Sequence, residues 1–310
     1  MSNTSNYKKA YDILDRMLDK SDDSTSDSYG YYNNNIIAFC GNAGHDKEQA
    51  VTDFVNEVYN CSKHGDSSLG DISDKIENTF FAKPIVIDPF MFEDSDNIIT
   101  VVLAEMFQRF KRVAESGIIE RESSVGNATY QRQELLNIFD KTFRSMQTLS
   151  SKRDAHRERY YDPEDGYMHY GYDSDDYDSN LQKLSRLSNG ASMQDNMKEL
   201  VSRYLRYMDT DNSSYRDCNR KLILVIDNLY SCDENVHKIS EQIRKYLMLP
   251  NVIIVMALEL EQFQMGIAEN DYENFRRSLD RGDSGIHSMV NSMSSRYLEK
   301  LVPVSNRVYI

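Results

Sequence analysis

Lys47 stands six residues after Gly41 in the stretch Gly41-Asn42-Ala43-Gly44-His45-Asp46-Lys47-Glu48. A lysine at that spacing, with small residues before it, is equipped to hold phosphate. Its ammonium would meet the β- and γ-phosphates, while the backbone N–H groups of Gly41 to Gly44 cradle them. Against the pattern G-x-x-x-x-G-K-[ST], the first glycine and the lysine are in place. Asp46 stands where the second glycine belongs, and Glu48 where a hydroxyl would hold Mg²⁺. Each added carboxylate opposes phosphate by roughly a few kcal/mol at loop distances. His45, Asp46 and Glu48 also offer metal-ligand types, but no distant His or Cys cluster completes such a site.

A second candidate is Asp227, which ends the apolar run Lys221–Ile226. In nucleotide-hydrolysing α/β proteins, an acid ending an apolar strand beside the phosphate-loop strand holds Mg²⁺, usually through water. An adjacent acid orients the attacking water. Asp227 suits the first role, with Glu48 as a further oxygen that can reach the ion. Asn228 occupies the base position, but its amide cannot accept the proton.

These residues need a scaffold, and the apolar pattern supplies one. Ile36–Cys40, Pro84–Asp88, Lys221–Asp227 and Asn251–Ala257 read as strands, the last two as continuous apolar runs covered on both faces. Helical spacing marks Asn6–Lys20, Lys47–Asn60, Ile98–Val113, Leu135–Leu149, Met197–Met208, Val236–Leu249 and Met289–Leu301. Cys61–Asn78 reads as a loop with a short helix at Ile72–Glu77, and Gly266–Ser284 as a charged segment. Strands alternating with helices predict an α/β fold: a doubly wound, mainly parallel sheet of four strands, with Cys40 and Asp227 ending at the same edge. Ligands bind at such carboxyl ends. Residues 1–34 read as a helix and flexible linker, and 35–310 as the main domain with helical insertions.

With 310 residues and a net charge of -14, the chain can bury a sizeable core, and a broad nucleic-acid-binding surface is not expected. Its four cysteines, Cys40, Cys61, Cys218 and Cys232, lack C-x-x-C spacing and read as reduced cytosolic thiols. No apolar run reaches the length of a membrane span, so a soluble, cytoplasmic protein is expected. Arg157–Asn180 is acidic, rich in tyrosine and without periodicity. It reads as an exposed, mobile insertion, or alternatively as a surface for a basic partner.

The blocks IIAFCG-x-x-G-x-x-K, PIVIDPFMFEDSDNIITVVLAEMF, KLILVIDNLY, PNVIIVMALELEQF and SSRYLEKLVPVSNRVYI together resemble the KAP-type P-loop NTPases of the ASCE group, which includes AAA+ and STAND ATPases. The resemblance spans about Ile36 to the C-terminus. It implies a bacterial, ATP-dependent switch that uses ATP and Mg²⁺, with Gly41–Glu48 as Walker A, KLILVIDN as Walker B and Glu259 as the sensor. It also implies further domains beyond the extended end Pro303–Ile310. The family has Ser-Gly-Lys-Ser/Thr where this chain has His45-Asp46-Lys47-Glu48, and paired acids where it has Asp227-Asn228. Two outcomes are open: an ATP-binding switch with weak or no hydrolysis, or a pseudo-NTPase scaffold without nucleotide. A protein partner or homo-oligomer is compatible with both. Arg276, Arg277 and Arg307 would serve as arginine fingers or as solvated surface.

Overall fold

The computed structural model describes residues 7–19, 34–41, 46–65, 69–89, 97–116, 125–157, 175–209, 219–227, 229, 236–279 and 285–310, with backbone alone at 125–128, 148–157, 175–191, 270–271, 273–274 and 276–279. Among these, one sheet of five strands organises the chain. They are β1 (Ile36–Cys40), β2 (Thr79–Ile87), β3 (Asn219–Ile226), β4 (Val252–Leu258) and β5 (Arg307–Tyr309), ordered β2-β3-β4-β1-β5 and all parallel. The four expected strands thus lie in one sheet with their carboxyl ends at one edge. The fifth strand, β5, was expected only as an extended end.

Alternation along each strand divides the core. Ala38, Cys40, Leu224, Ile226, Met256 and Leu258 face one side, where they meet α4 (Ile98–Ser116), α5 (Val125–Arg157), α6 (Asp175–Met208), α7 (Val236–Gln242), α8 (Leu260–Leu279) and α9 (Gly285–Leu301). Ile37, Phe39, Ile223, Val225, Val255 and Ala257 face the other, under α1 (Lys8–Leu18), α2 (Asp46–His64) and α3 (Asp71–Glu77). The central strands are buried along nearly their whole length, as their unbroken apolar sequence requires. On the second face, α1 places Tyr7 edge-on to Phe39 with centroids 5.9 Å apart, and Phe39 lies 5.5 Å from Phe54 of α2.

β2 is an edge strand and carries Pro84, which lacks an N–H for the ladder. Its register shifts between Ala82 and Ile85, where edge strands accommodate proline. Arg109 of α4 donates to the carbonyls of Lys83 and, at 2.8 Å, Pro84. The bulge is therefore tied to the helix that covers it.

Several boundaries differ from the sequence reading. α8 is helical where a charged segment was expected, because Phe263 and Ile267 form a buried i, i+4 pair among the charges. Gly266 sits between them because a Cβ there would lie 3.0 Å from Cβ and Cγ2 of Val236, so α7 and α8 touch backbone to side chain. α5 and α6 extend far past their apolar segments, and residues 175–180 of the expected insertion open α6. Residues 158–174 and most of the expected linker, 20–33, lie outside the described residues. α7 continues as a π-helical turn, Ile243–Leu247, in which Met248 N–H donates to Ile243 O at 3.1 Å. Among the described residues, no helix is long and apolar enough to cross a membrane.

Candidate phosphate site

The sheet changes winding direction between β1 and β4. These strands are hydrogen-bonded neighbours, with Cys40 paired to Leu258. The chain leaves β1 for α2 on one face and leaves β4 for α8 on the other. The carboxyl ends of adjacent strands whose chains part to opposite faces are where open α/β sheets bind ligands, and this edge is the candidate crevice. Gly41 and Glu259, each one residue past its strand, stand level on its two sides.

Lys47 enters this crevice from the first turn of α2. It is 1% exposed. Its Nζ donates to Gly41 O at 3.3 Å and lies 3.8 Å from Glu259 Oε2. Gly41 matters here because a Cβ would come within 3.3 Å of Lys47 Cγ and 3.4 Å of Cδ, so the bare backbone lets the lysine stem lie against it. The Gly41 N–H extends the β1–β4 ladder by donating to Leu258 O at 3.3 Å. On the far side of β1, Ile310 N–H donates to Cys40 O at 3.0 Å.

Glu259 is placed by the turn into α8, its carbonyl accepting from Phe263 N–H at 2.9 Å. Among the described residues its Oε2 is buried without a hydrogen-bond partner, and the Lys47 ammonium lies 3.8 Å away as an opposing charge. Burial without full compensation is costly for a carboxylate, so this contact constrains both residues. The expectation of Glu259 as a sensor is joined here by a contact to the lysine itself.

Asp46 and Glu48 both fall in the first turn of α2, Asp46 exposed and Glu48 half-buried. Carboxylates there complement the helix's own partial positive charge, by about 0.3–1 kcal/mol each, and so compete with an incoming anion for it. Among the described residues, the Lys47 ammonium thus pairs with Glu259 and issues from a helix turn that also carries Asp46 and Glu48.

Asp227 lies at the same edge but not beside β1, as the sequence reading had it. β4 intervenes, so β3 stands two strand spacings, about 9.6 Å, from β1. The register of Ile226 with Met256, and of Met256 with Ala38, sets Asp227 level with Phe39. Strand alternation then puts Asp88, Asp227 and Glu259, each the first residue past its strand, on the face carrying α2. The Asp227 N–H donates to Ile87 O at 2.9 Å. Among the described residues, no group of three or more His, Cys, Asp or Glu is placed to hold a metal ion. Asn42, Ala43, Gly44, His45 and Asn228 lie outside the described residues.

Other candidates resolve into structural roles. Burial pushes the Cys40 thiol up to about 11, against the opposing effects of Arg307, Lys9 and Lys47, and its Sγ donates to Ala38 O at 3.6 Å. It is a protonated core residue at neutral pH. Arg307 is buried, donating to Val302 O at 2.9 Å and pairing with Glu299 at 3.0 Å. That makes it a clamp between α9 and β5, neither finger nor solvated surface. The side chains of Arg276 and Arg277 lie outside the described residues. The residue-level signal missed by sequence was the pairing of Lys47 with Glu259, which only strand order reveals. Compared with known proteins, the chain matches no family model and no curated protein.

Proposed function

We infer that this chain is a KAP-like P-loop NTPase domain that works as an ATP-binding switch with weak or absent hydrolysis. The observation that carries this reading is the placement of Lys47, issuing from the first turn of the helix after β1 and lying over the Gly41 carbonyl at the switch point of the sheet. Lys47 would contact the β- and γ-phosphates, and Gly41 through Gly44 would supply backbone donors. Asp227, through water, and Glu48 would hold Mg²⁺, whose role is to neutralise phosphate charge. Asn228 leaves the attacking water without a side-chain base, a role worth about 10² to 10⁴ in rate.

A second reading, a scaffold that no longer takes nucleotide, is favoured by one observation. The ammonium that phosphate needs already has Gly41 O and Glu259 as partners. Thermal-shift titration with ATP, with and without Mg²⁺, separates the two. A saturable, Mg²⁺-dependent rise in Tm with phosphate release at background supports the switch, and an unchanged Tm supports the scaffold. Robust turnover abolished by Lys47→Ala would refute both.

A further inference from the structure

Glu259 carries a negative charge into the crevice where the phosphate reading places phosphate. Its carboxylate lies 3.8 Å from the Lys47 ammonium, its Oε2 buried and, among the described residues, without a hydrogen bond, while Lys47 itself is almost wholly enclosed. We propose that Glu259 is an internal competitor for the phosphate site, holding Lys47 until a ligand with more than one anchoring group displaces it. This rests on the phosphate reading of the crevice and adds to it a selection rule.

The rule follows from counting contacts. Inorganic phosphate that displaces Glu259 exchanges one anion for another at a single ammonium, and it meets Asp46 and Glu48 as further repulsion. A nucleoside di- or triphosphate brings a second phosphoryl group for the backbone donors at the start of α2, and its Mg²⁺ offsets the acids. The site therefore accepts metal-complexed nucleoside polyphosphates and excludes inorganic phosphate. Glu259 supplies the threshold between them.

Equilibrium dialysis of the full chain with Mg²⁺-ATP, Mg²⁺-ADP and inorganic phosphate tests this, using wild type, Glu259→Gln and Glu259→Gln with Lys47→Ala. Glu259→Gln is expected to bind Mg²⁺-ATP about tenfold more tightly than wild type, the scale of a partly desolvated charge contact. It is also expected to acquire phosphate binding that wild type lacks. Lys47→Ala removes both gains. Equal affinity of wild type and Glu259→Gln for Mg²⁺-ATP overturns the competitor and leaves the phosphate reading standing. Absence of binding by any variant overturns both. A gain that survives Lys47→Ala also overturns the proposal, because Glu259 then acts through general charge. Far-UV circular dichroism checks folding, and Glu259→Ala carries the same comparison should the glutamine variant not fold.

Discussion

Lys47 and Glu259 lie 3.8 Å apart across the carboxyl end of the sheet, although they are 212 positions apart in the chain. One follows β1 and the other follows β4, so their meeting reports the pairing of those two strands. Removing Lys47 leaves the partly buried Glu259 carboxylate without this opposing charge.

Lys47→Ala is therefore expected to destabilise the fold by about 2 kcal/mol, part from the lost stem packing and part from the stranded carboxylate. Glu259→Gln on that background should recover about 1 kcal/mol. Urea denaturation of the four chains of this cycle measures the coupling, and independent, additive effects would remove the ion pair from the account.

Gly266→Ala is expected to cost about 1–3 kcal/mol, because the new methyl group meets Val236 at 3.0 Å on a helix that cannot withdraw without disturbing Phe263 and Ile267. Val236→Ala on that background should restore part of the loss. A neutral Gly266→Ala by thermal denaturation would show that α7 and α8 are farther apart.

Glu241 sets an acid-dependent contribution. Burial alone would raise its pKa, but hydrogen bonds from Arg244, Lys245 and Tyr297 outweigh that and hold it down at about 2. Tyr297 donates to it at 3.0 Å, linking α7 to α9. A carboxyl whose folded pKa is depressed adds stability that is present above its unfolded value, about 4.3, and lost as pH falls from there toward 2. Wild type should lose Tm over that window more steeply than Glu241→Gln, which should be less stable at pH 7. Parallel Tm profiles would contradict this.

How much of this was legible beforehand depends on pattern length. β3 and β4 announce themselves because strands buried on both faces must be apolar throughout, and α4 because Ile99, Val102, Leu103, Met106 and Phe110 repeat at helical spacing over several turns. β5 has three residues, too few for any period to register. Phe263 and Ile267 are too few apolar positions to stand out beside Gly266 and the charges around them. Gly41 and Lys47, six residues apart, lie against each other in the fold. Strand order, however, is a long-range property, so neither the separation of Asp227 from β1 nor the approach of Glu259 to Lys47 could be read from local sequence.

If the substituted positions are what weakens the site, rebuilding them should act in sequence. Asp46→Gly with Glu48→Thr removes two carboxylates from the first turn of α2 and is expected to tighten Mg²⁺-ATP binding at least tenfold. Adding Asn228→Glu should then raise phosphate release by about 10² or more. Turnover restored by Asn228→Glu alone would show that binding was never the obstacle.

Calorimetric titration of Mg²⁺-ATP into the full chain and into its Lys47→Ala variant tests the central claim most directly. Weak, saturable, Mg²⁺-dependent binding to wild type is expected, with a stoichiometry of about one, the single site of one P-loop, and none to the variant. Binding that is unchanged by Lys47→Ala, or no heat of binding in wild type at millimolar nucleotide, would contradict it.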